Sequence, residues 1–203
     1  MPVTLEEGRL KFQFEEASVP WKYDDSSFYR HQFQSFAGGA KGVDFLCHTK
    51  DTLWLIEVKD YRVHERQKSQ DLSEEVAEKV RDRLAGLAAL RVNGNELDER
   101  KRATAALKKK RLRVVLHLEL PKLKRVSKLY PDIKLHRDFQ EHLKAVVRAV
   151  DTHPKVVCIA QKVCSIALGR WWTNAMISCE PGEHSSSNLR GRKANPVFRA
   201  AFE

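Results

Sequence analysis

The sequence predicts an α/β fold in which a central mixed β-sheet is flanked by helices. The apolar segment Val43–Asp60 is divided by Lys50-Asp51 and therefore predicts two strands joined by a tight turn. Amphipathic helical patterns follow, and then a third apolar segment, Leu112–Leu120, which Pro121 ends. A strand–helix–strand order requires a crossover connection, so the sheet is expected to combine antiparallel and parallel pairs.

Other patterns complete the predicted fold. Residues 9–14 alternate apolar and polar side chains, which predicts a short strand, and Pro20 is expected to interrupt the pattern that follows. Helices are predicted from Asp25 or Ser26 to Phe36, from the N-cap Asp71 to Asn93, over 96–110 and over 137–150, and a last strand over 155–160. Residues 1–180 are expected to form one domain, and 181–203 a basic, flexible tail.

The net charge of +10 is concentrated in one region. Arg100–Lys128 contains twelve basic residues and one acidic residue, Glu119, so the rest of the chain is close to neutral. Such a local surplus predicts a polyanionic partner, here nucleic acid, whose binding weakens with salt. A solvated helix face is the alternative. The predicted nucleic-acid contacts are Lys41, Arg62, Lys108, Lys109, Lys110 and Arg111.

The predicted hairpin brings two acidic residues together. Side chains along a strand alternate between faces, so Glu57 and Lys59 share a face that Val58 does not. With Lys50-Asp51 as a two-residue loop, the numbers of paired residues sum to 101, which places Asp44 opposite Glu57. The Cβ atoms of such a pair lie roughly 4.5–5.5 Å apart, and two carboxylates at that distance repel each other.

A divalent cation between the carboxylates would remove this repulsion. Mg²⁺ is commonly held by one or two carboxylates, with water or phosphate at its other positions, and Mn²⁺ is expected to substitute for it. Lys59 would stand beside the metal and could orient or activate a water molecule, or stabilise charge on a phosphoryl group. The spacing therefore predicts phosphodiester hydrolysis, with Asp44 and Glu57 as metal ligands and with Asp44, Glu57 and Lys59 as catalytic residues. A solvated end of an edge strand is the alternative interpretation.

Asp44 followed by Glu57-Val58-Lys59 resembles the PD-(D/E)xK nuclease superfamily, which includes restriction endonucleases, archaeal-type Holliday junction resolvases and nuclease-related domains. Val43 stands where the family name has proline. The resemblance implies a restriction endonuclease-like core, a Mg²⁺-dependent endonuclease activity on DNA, and action as a homodimer or with a partner protein that supplies specificity. Many members carry an additional acid on the helix before the hairpin, where this chain offers Asp25 or its neighbours Asp24, Glu15 and Glu16.

Composition excludes some other classes. The chain has no apolar run of about 18 residues, so no transmembrane helix is expected, and Met1–Glu16 lacks the apolar core of a secretory signal. The four cysteines show no Cys-x-x-Cys spacing, which argues against zinc and for a reducing cytoplasm.

The predicted function is therefore a metal-dependent nuclease that hydrolyses the phosphodiester bonds of DNA, with RNA less favoured. The first alternative is a non-catalytic nucleic-acid-binding subunit of a larger assembly that retains the same fold. The second is a structural protein that docks its basic region on an acidic partner protein, and such a protein would bind nucleic acid only weakly at moderate salt.

Overall fold

A computed structural model of the protein describes residues 3–14, 16–63, 66–121, 132–158 and 178–181. Within these residues the strands are β1 (Val3–Glu7), β2 (Leu10–Phe14), β3 (Val19–Trp21), β4 (Phe45–His48), β5 (Thr52–Asp60), β6 (Arg111–Glu119), β7 (Lys155–Val157) and β8 (Ser178–Pro181). The helices are α1 (Leu72–Asn93), α2 (Leu97–Leu107) and α3 (Asp132–Val146). None of these helices is long and apolar enough to cross a membrane.

The central sheet has five strands in the order β3-β4-β5-β6-β7. Its first two pairs are antiparallel, whereas β5, β6 and β7 run parallel to one another. Parallel neighbours need crossover connections, which are supplied by α1 and α2 between β5 and β6 and by α3 between β6 and β7. The predicted α/β class with a mixed sheet is therefore confirmed.

The hairpin has the predicted register. Phe45 pairs with Ile56 and Leu46 with Leu55, so the residue numbers sum to 101 across β4 and β5. The backbone N–H of Thr49 donates to the carbonyl of Thr52, which closes the two-residue turn at Lys50-Asp51. This register places every second side chain of each strand on the same face of the sheet.

Each face of the sheet is covered by a different layer. On one face, α1 packs its buried side chains Val76, Val80 and Leu87 against the apolar residues of β4, β5 and β6. Asp71 caps this helix as predicted, because its carboxylate accepts the backbone N–H groups of Ser73 and Glu74. The other face is covered by a three-stranded antiparallel sheet in the order β1-β2-β8.

Two parts of the fold differ from the sequence-based expectation. The segment predicted as one helix up to Phe36 forms separate helical turns at Tyr23–Asp25, Tyr29–Phe33 and Phe36–Gly38, with Ser26 Oγ accepting the N–H of Tyr29. Pro20 lies inside β3, an edge strand, where its missing N–H is tolerated. The predicted boundary at 180/181 falls inside β8, and residues 182–203 lie outside the described part of the chain.

Phe12 of β2 tests how the two sheets are held together. Its side chain is 1% exposed, and its ring centroid lies 5.1 Å from that of Phe45 on the central sheet. Phe12→Ala should therefore lower the free energy of unfolding in urea by about 3–5 kcal/mol. Val3→Ala, at a position 41% exposed, is the control and should change it by about 0.5 kcal/mol or less. Equal losses in both variants would contradict this packing.

Candidate functional site

Asp44 and Glu57 lie on the face of the central sheet that α1 covers. Asp44 precedes β4, and the β4–β5 register continues to it, so that it stands opposite Glu57. The carboxylate of Asp44 accepts the backbone N–H of Val58 at 2.6 Å, which ties it to β5. Glu57 is completely buried. The structure thus brings together the two acids that the hairpin pattern had paired.

Two ammonium groups contact the same oxygen of Glu57. Lys59 Nζ lies 2.8 Å from Glu57 Oε1, and Lys79 Nζ, which reaches in from α1, lies 2.5 Å from it. The other oxygen, Oε2, is buried and has no hydrogen-bond partner among the described residues. A buried carboxylate requires compensating charge, and here the two lysines supply it at one oxygen only.

Glu75 of α1 extends this set of charges. Its carboxylate contacts Lys59 Nζ at 3.1 Å, Lys68 Nζ at 2.7 Å and Arg66 at 2.7 Å. Arg66 also donates to the hydroxyl of Tyr61 and to the backbone carbonyl of Gln70. We call Asp44, Glu57, Lys59, Glu75 and Lys79 the charged cluster; its members come from β5, from α1 and from the residue that precedes β4.

The charged cluster shifts the protonation of three of its members. Burial, with the nearby charge of Glu57, raises the pKa of Asp44 to about 7, although Lys79 and the N–H of Val58 oppose the change. Burial favours a lower pKa for Lys59, but Glu57 and Glu75 outweigh it and raise the pKa above the usual lysine value. Burial acts to raise the pKa of Glu75, but hydrogen bonds from Lys68 and Arg66 and the charge of Lys59 outweigh it and lower this pKa to about 2.

These shifts limit what Lys59 can do. An ammonium group whose pKa is raised stays protonated at neutral pH, so it can stabilise negative charge but cannot accept a proton from water. Of the two roles that the sequence left open for Lys59, the structure therefore favours charge stabilisation over activation of a water molecule.

Asp44 and Glu57 are the residues that could hold a divalent cation. The buried Oε2 of Glu57 is a hard oxygen ligand of the type that Mg²⁺ prefers. Across the described ranges, no group of three or more His, Cys, Asp or Glu side chains is arranged to hold a metal. A cation at this position would therefore have at most two protein carboxylates, which is a common arrangement for Mg²⁺.

The remaining predicted site residues lie elsewhere. Asp25, the predicted additional acid, is exposed on a helical turn, and the third carboxylate of the cluster comes from Glu75 instead. Lys41 is exposed, and its backbone N–H donates to Asp82. The guanidinium of Arg62 donates to both carboxylate oxygens of Asp60, at 2.8 and 2.6 Å.

The predicted basic run Lys108, Lys109, Lys110 and Arg111 stands at the far end of the hairpin from the carboxylates. Arg111 pairs with Thr52 at the start of β5, and Lys109 Nζ donates to the carbonyl of Lys50 in the turn. Glu57 is five residues further along β5, which corresponds to roughly 17 Å at the rise of a strand. The positive charge of this run therefore does not border the carboxylate pair. The basic residues Lys122, Lys124, Arg125 and Lys128 lie outside the described residues.

Glu75 and Lys79 were missed at the sequence level. A signal for them existed, since they stand four residues apart on α1, each next to a buried apolar position, Val76 and Val80. Such a spacing is typical of an ordinary surface ion pair of a helix. Only the packing of α1 across β5 shows that both side chains turn towards Glu57 and Lys59.

Comparison with known proteins gives one named relative. A cysteine–tRNA ligase from Neisseria meningitidis serogroup A is 31% identical over 158 residues, a match that covers 63% of this chain and 22% of the ligase. The chain thus spans about a fifth of the length of the curated relative it matches. No family model matches the chain. No solved structure matches it either.

This comparison overturns the predicted function. The named relative is an enzyme, but it is a tRNA ligase, whereas the hairpin pattern had predicted a DNA nuclease, a hydrolase of phosphodiester bonds. The geometry gives a physical reason for the error. The motif residues engage one another and α1 in ion pairs, and the described basic run stands at the other end of the hairpin. Proximity of an acid and a Glu-x-Lys sequence does not by itself establish hydrolysis.

The raised pKa of Asp44 predicts a pH dependence of stability. The folded protein keeps the proton on this carboxyl group up to about pH 7, whereas the ordinary value of 3.8 applies once the chain is unfolded. Between these values the folded state binds more protons, so the contribution of Asp44 to the free energy of unfolding falls as pH rises from about 4 to about 7. Asp44→Asn removes this titration.

Urea unfolding in EDTA at pH 4.5 and pH 8 measures the effect. The measured quantity is the free energy of unfolding of Asp44→Asn minus that of the wild type. This difference should be larger at pH 8 than at pH 4.5 by on the order of a few kcal/mol. Asp98→Asn, at a side chain 87% exposed, serves as the charge-matched control and should show no such difference. An equal effect of Asp44→Asn at both pH values would contradict the raised pKa.

Proposed function

We propose that this chain is a tRNA-binding domain that serves an aminoacyl-tRNA ligase, either as a part of it or beside it. The observation that carries the proposal is a concentration of exposed positive charge on α2 and the turn that follows it. We call this surface the basic strip; its members are Arg100, Lys101, Arg102, Lys108, Lys109, Lys110 and Arg111.

Acidic side chains lie close to two members of the basic strip, Lys101 and Lys110. Lys101 pairs with Asp98 at 3.4 Å, and both side chains are largely exposed. Lys110 lies 3.8 Å from Asp51, with its own side chain 82% exposed. Exposed pairs at such distances contribute little, so the two pairs leave the basic strip with a surplus of positive charge. A surface of this kind favours phosphate groups and attracts a polyanion over a long range.

The shape of this surface also suits a phosphate backbone. A shallow open groove runs along the C-terminal end of α1 and the exposed side of α2, lined in part by Arg91, Arg100, Lys101, Thr104 and Lys108. Basic side chains along one groove can contact successive phosphates of a single strand or duplex. The sequence alone favoured DNA. The similarity to a cysteine–tRNA ligase is the reason for proposing tRNA instead.

We propose in addition that Asp44 and Glu57 bind one Mg²⁺, for which Mn²⁺ could substitute. The support is the buried Oε2 of Glu57, which has no partner among the described residues and faces the same side of the hairpin as Asp44. When bound, the ion would supply positive charge that offsets the repulsion between the carboxylates and could attract a phosphate group. Lys59 and Lys79 would keep the other oxygen of Glu57 occupied.

The finer fold assignment is also a proposal. A mixed five-stranded sheet, with the carboxylate pair on an antiparallel hairpin and a helical crossover after it, supports a restriction endonuclease-like core. This proposal concerns architecture alone, because one fold can host unrelated functions. The cytoplasmic location and a homodimeric state remain predictions from the sequence.

Binding of a fluorescently labelled tRNA transcript tests the proposed function. The triple variant Lys108→Gln, Lys109→Gln, Lys110→Gln should weaken binding on the order of tenfold at 100 mM salt. The steepness of the plot of the logarithm of the binding constant against the logarithm of the salt concentration should fall by roughly 2–3. The reason is that a complex with fewer phosphate contacts releases fewer counterions when it forms. Fluorescence anisotropy over a salt series gives both quantities, and gel electrophoresis after each titration checks that the tRNA is intact.

A matched triple variant controls for the change in net charge. Arg137→Gln, Lys144→Gln and Arg148→Gln remove three exposed charges on α3 and the turn after it, and should leave both quantities nearly unchanged. A DNA duplex of similar length provides the competing ligand. The proposal fails if the wild type does not bind tRNA at this salt, or if it prefers the DNA duplex.

Thermal unfolding with and without 10 mM Mg²⁺ tests the metal site. If the Mg²⁺ concentration is about tenfold above the dissociation constant of the site, binding stabilises the folded protein by about 1.4 kcal/mol. This corresponds to a Tm rise of roughly 2–6 °C. Asp44→Asn should abolish the rise, and the exposed control Asp98→Asn should retain it. An equal rise in Asp44→Asn would place the metal elsewhere and refute this site.

A further inference from the structure

Three phenylalanine rings form a stack that runs from the interior to the surface. The ring centroids of Phe28 and Phe33 are 6.1 Å apart with an interplanar angle of 27°, and those of Phe33 and Phe36 are 5.2 Å apart with an angle of 17°. Phe28 and Phe33 are 4% and 7% exposed, whereas Phe36 is 59% exposed. Because Phe33 covers one face of the Phe36 ring, the other face is open to solvent.

The backbone around Phe36 is held in an unusual conformation. Ala37 has a φ of 52°, in the left-handed region that a residue with a Cβ rarely adopts, and Gly38 and Gly39 follow with φ of 86° and 117°. The N–H of Gly39 donates to the carbonyl of Phe36 at 3.0 Å, which closes the turn. Backbone strain of this kind is found frequently at functional positions, and a ring fixed in place loses little entropy when it binds.

The inner end of the stack is attached to the helix that carries the basic strip. Glu99 of α2 accepts the backbone N–H groups of Ser27 at 2.7 Å and Phe28 at 3.2 Å. Its carboxylate is therefore engaged by two donors at the base of the stack. Arg100, Lys101 and Arg102, which follow Glu99 directly, belong to the basic strip.

The residues around the exposed ring favour a nucleic acid over an apolar protein surface. Arg30 and His31, which lie on the preceding helical turn Tyr29–Phe33, are exposed, and so are Gln34 and Lys41. An isolated apolar ring among polar and basic side chains is too small a patch for an apolar protein interface. It has the composition of a base-stacking position, and Glu99 links the base of the stack to the helix that carries part of the basic strip.

We propose that Phe36 stacks on an unpaired base of the bound RNA while the basic strip holds the neighbouring phosphates; this inference rests on the proposed tRNA-binding function. Every nucleobase has a flat face, so the contact is tolerant of sequence and requires only that the base is unpaired. Phe36 therefore selects single-stranded positions, such as those of a tRNA loop or its 3′ end, and contributes nothing to the binding of duplex RNA.

Two substitutions separate stacking from simple apolar contact. Phe36→Leu keeps an apolar side chain of similar volume without a ring, and Phe36→Tyr keeps the ring. The ligands are the tRNA transcript, a ten-nucleotide adenosine RNA and a ten-base-pair RNA duplex, and affinity is measured by anisotropy over a salt series. The urea midpoint of each variant verifies that it is folded.

Phe36→Leu should weaken binding of the tRNA and the single strand on the order of tenfold, leave duplex binding unchanged, and keep the salt slope of the wild type. Phe36→Tyr should bind within about twofold of the wild type, because the ring face remains. Wild-type affinity in Phe36→Leu overturns the stacking role while the tRNA-binding function stands. An equal loss on the duplex also overturns it. Failure of the wild type to bind any RNA overturns both proposals.

Discussion

The repulsion between Asp44 and Glu57 across the β4–β5 hairpin is the constraint on which the surrounding structure depends. Both carboxylates lie on the covered face of the sheet, and Glu57 has no access to water. A charge in that position requires a partner of opposite sign. Lys79 meets this need from α1, so the helix is attached to the sheet by an ion pair as well as by apolar packing. Lys59 in turn contacts Glu75, whose carboxylate is also paired with Arg66 and Lys68.

The protonation states of the charged cluster follow from burial and from the contacts among its members. Lys59 is held protonated and Glu75 is held ionised by their mutual contacts, and neither titrates near neutral pH. Asp44 is the exception and has a pKa of about 7, because burial and the charge of Glu57 raise its pKa more than Lys79 and the N–H of Val58 lower it. The hairpin thus carries two separate electrostatic features. Its buried end holds the charged cluster, and its turn end lies beside the basic strip.

Much of the fold could be predicted because its signals are local. Strand alternation, the two-residue turn at Lys50-Asp51, the Asp71 cap and the ends of α1 and β6 each depend on neighbours in sequence. The expectations failed where distant groups intervene. The segment before Phe36 does not form a regular helix because its aromatic side chains pack into the core and its N–H groups bond to α2. Strand β8 was not predicted, because it forms by pairing with β2 far away in the chain.

The amino-acid sequence by itself determined that Asp44 and Glu57 face each other, because the pairing register of a hairpin follows from its turn and from the alternation of side chains. Only the tertiary structure decided what surrounds that pair. The approach of Lys79 and Glu75 and the distance to the basic strip depend on where a helical crossover lies on the sheet. That placement arises from packing between residues far apart in sequence. For this reason the chemical role that a short motif suggested could not be established from the motif alone.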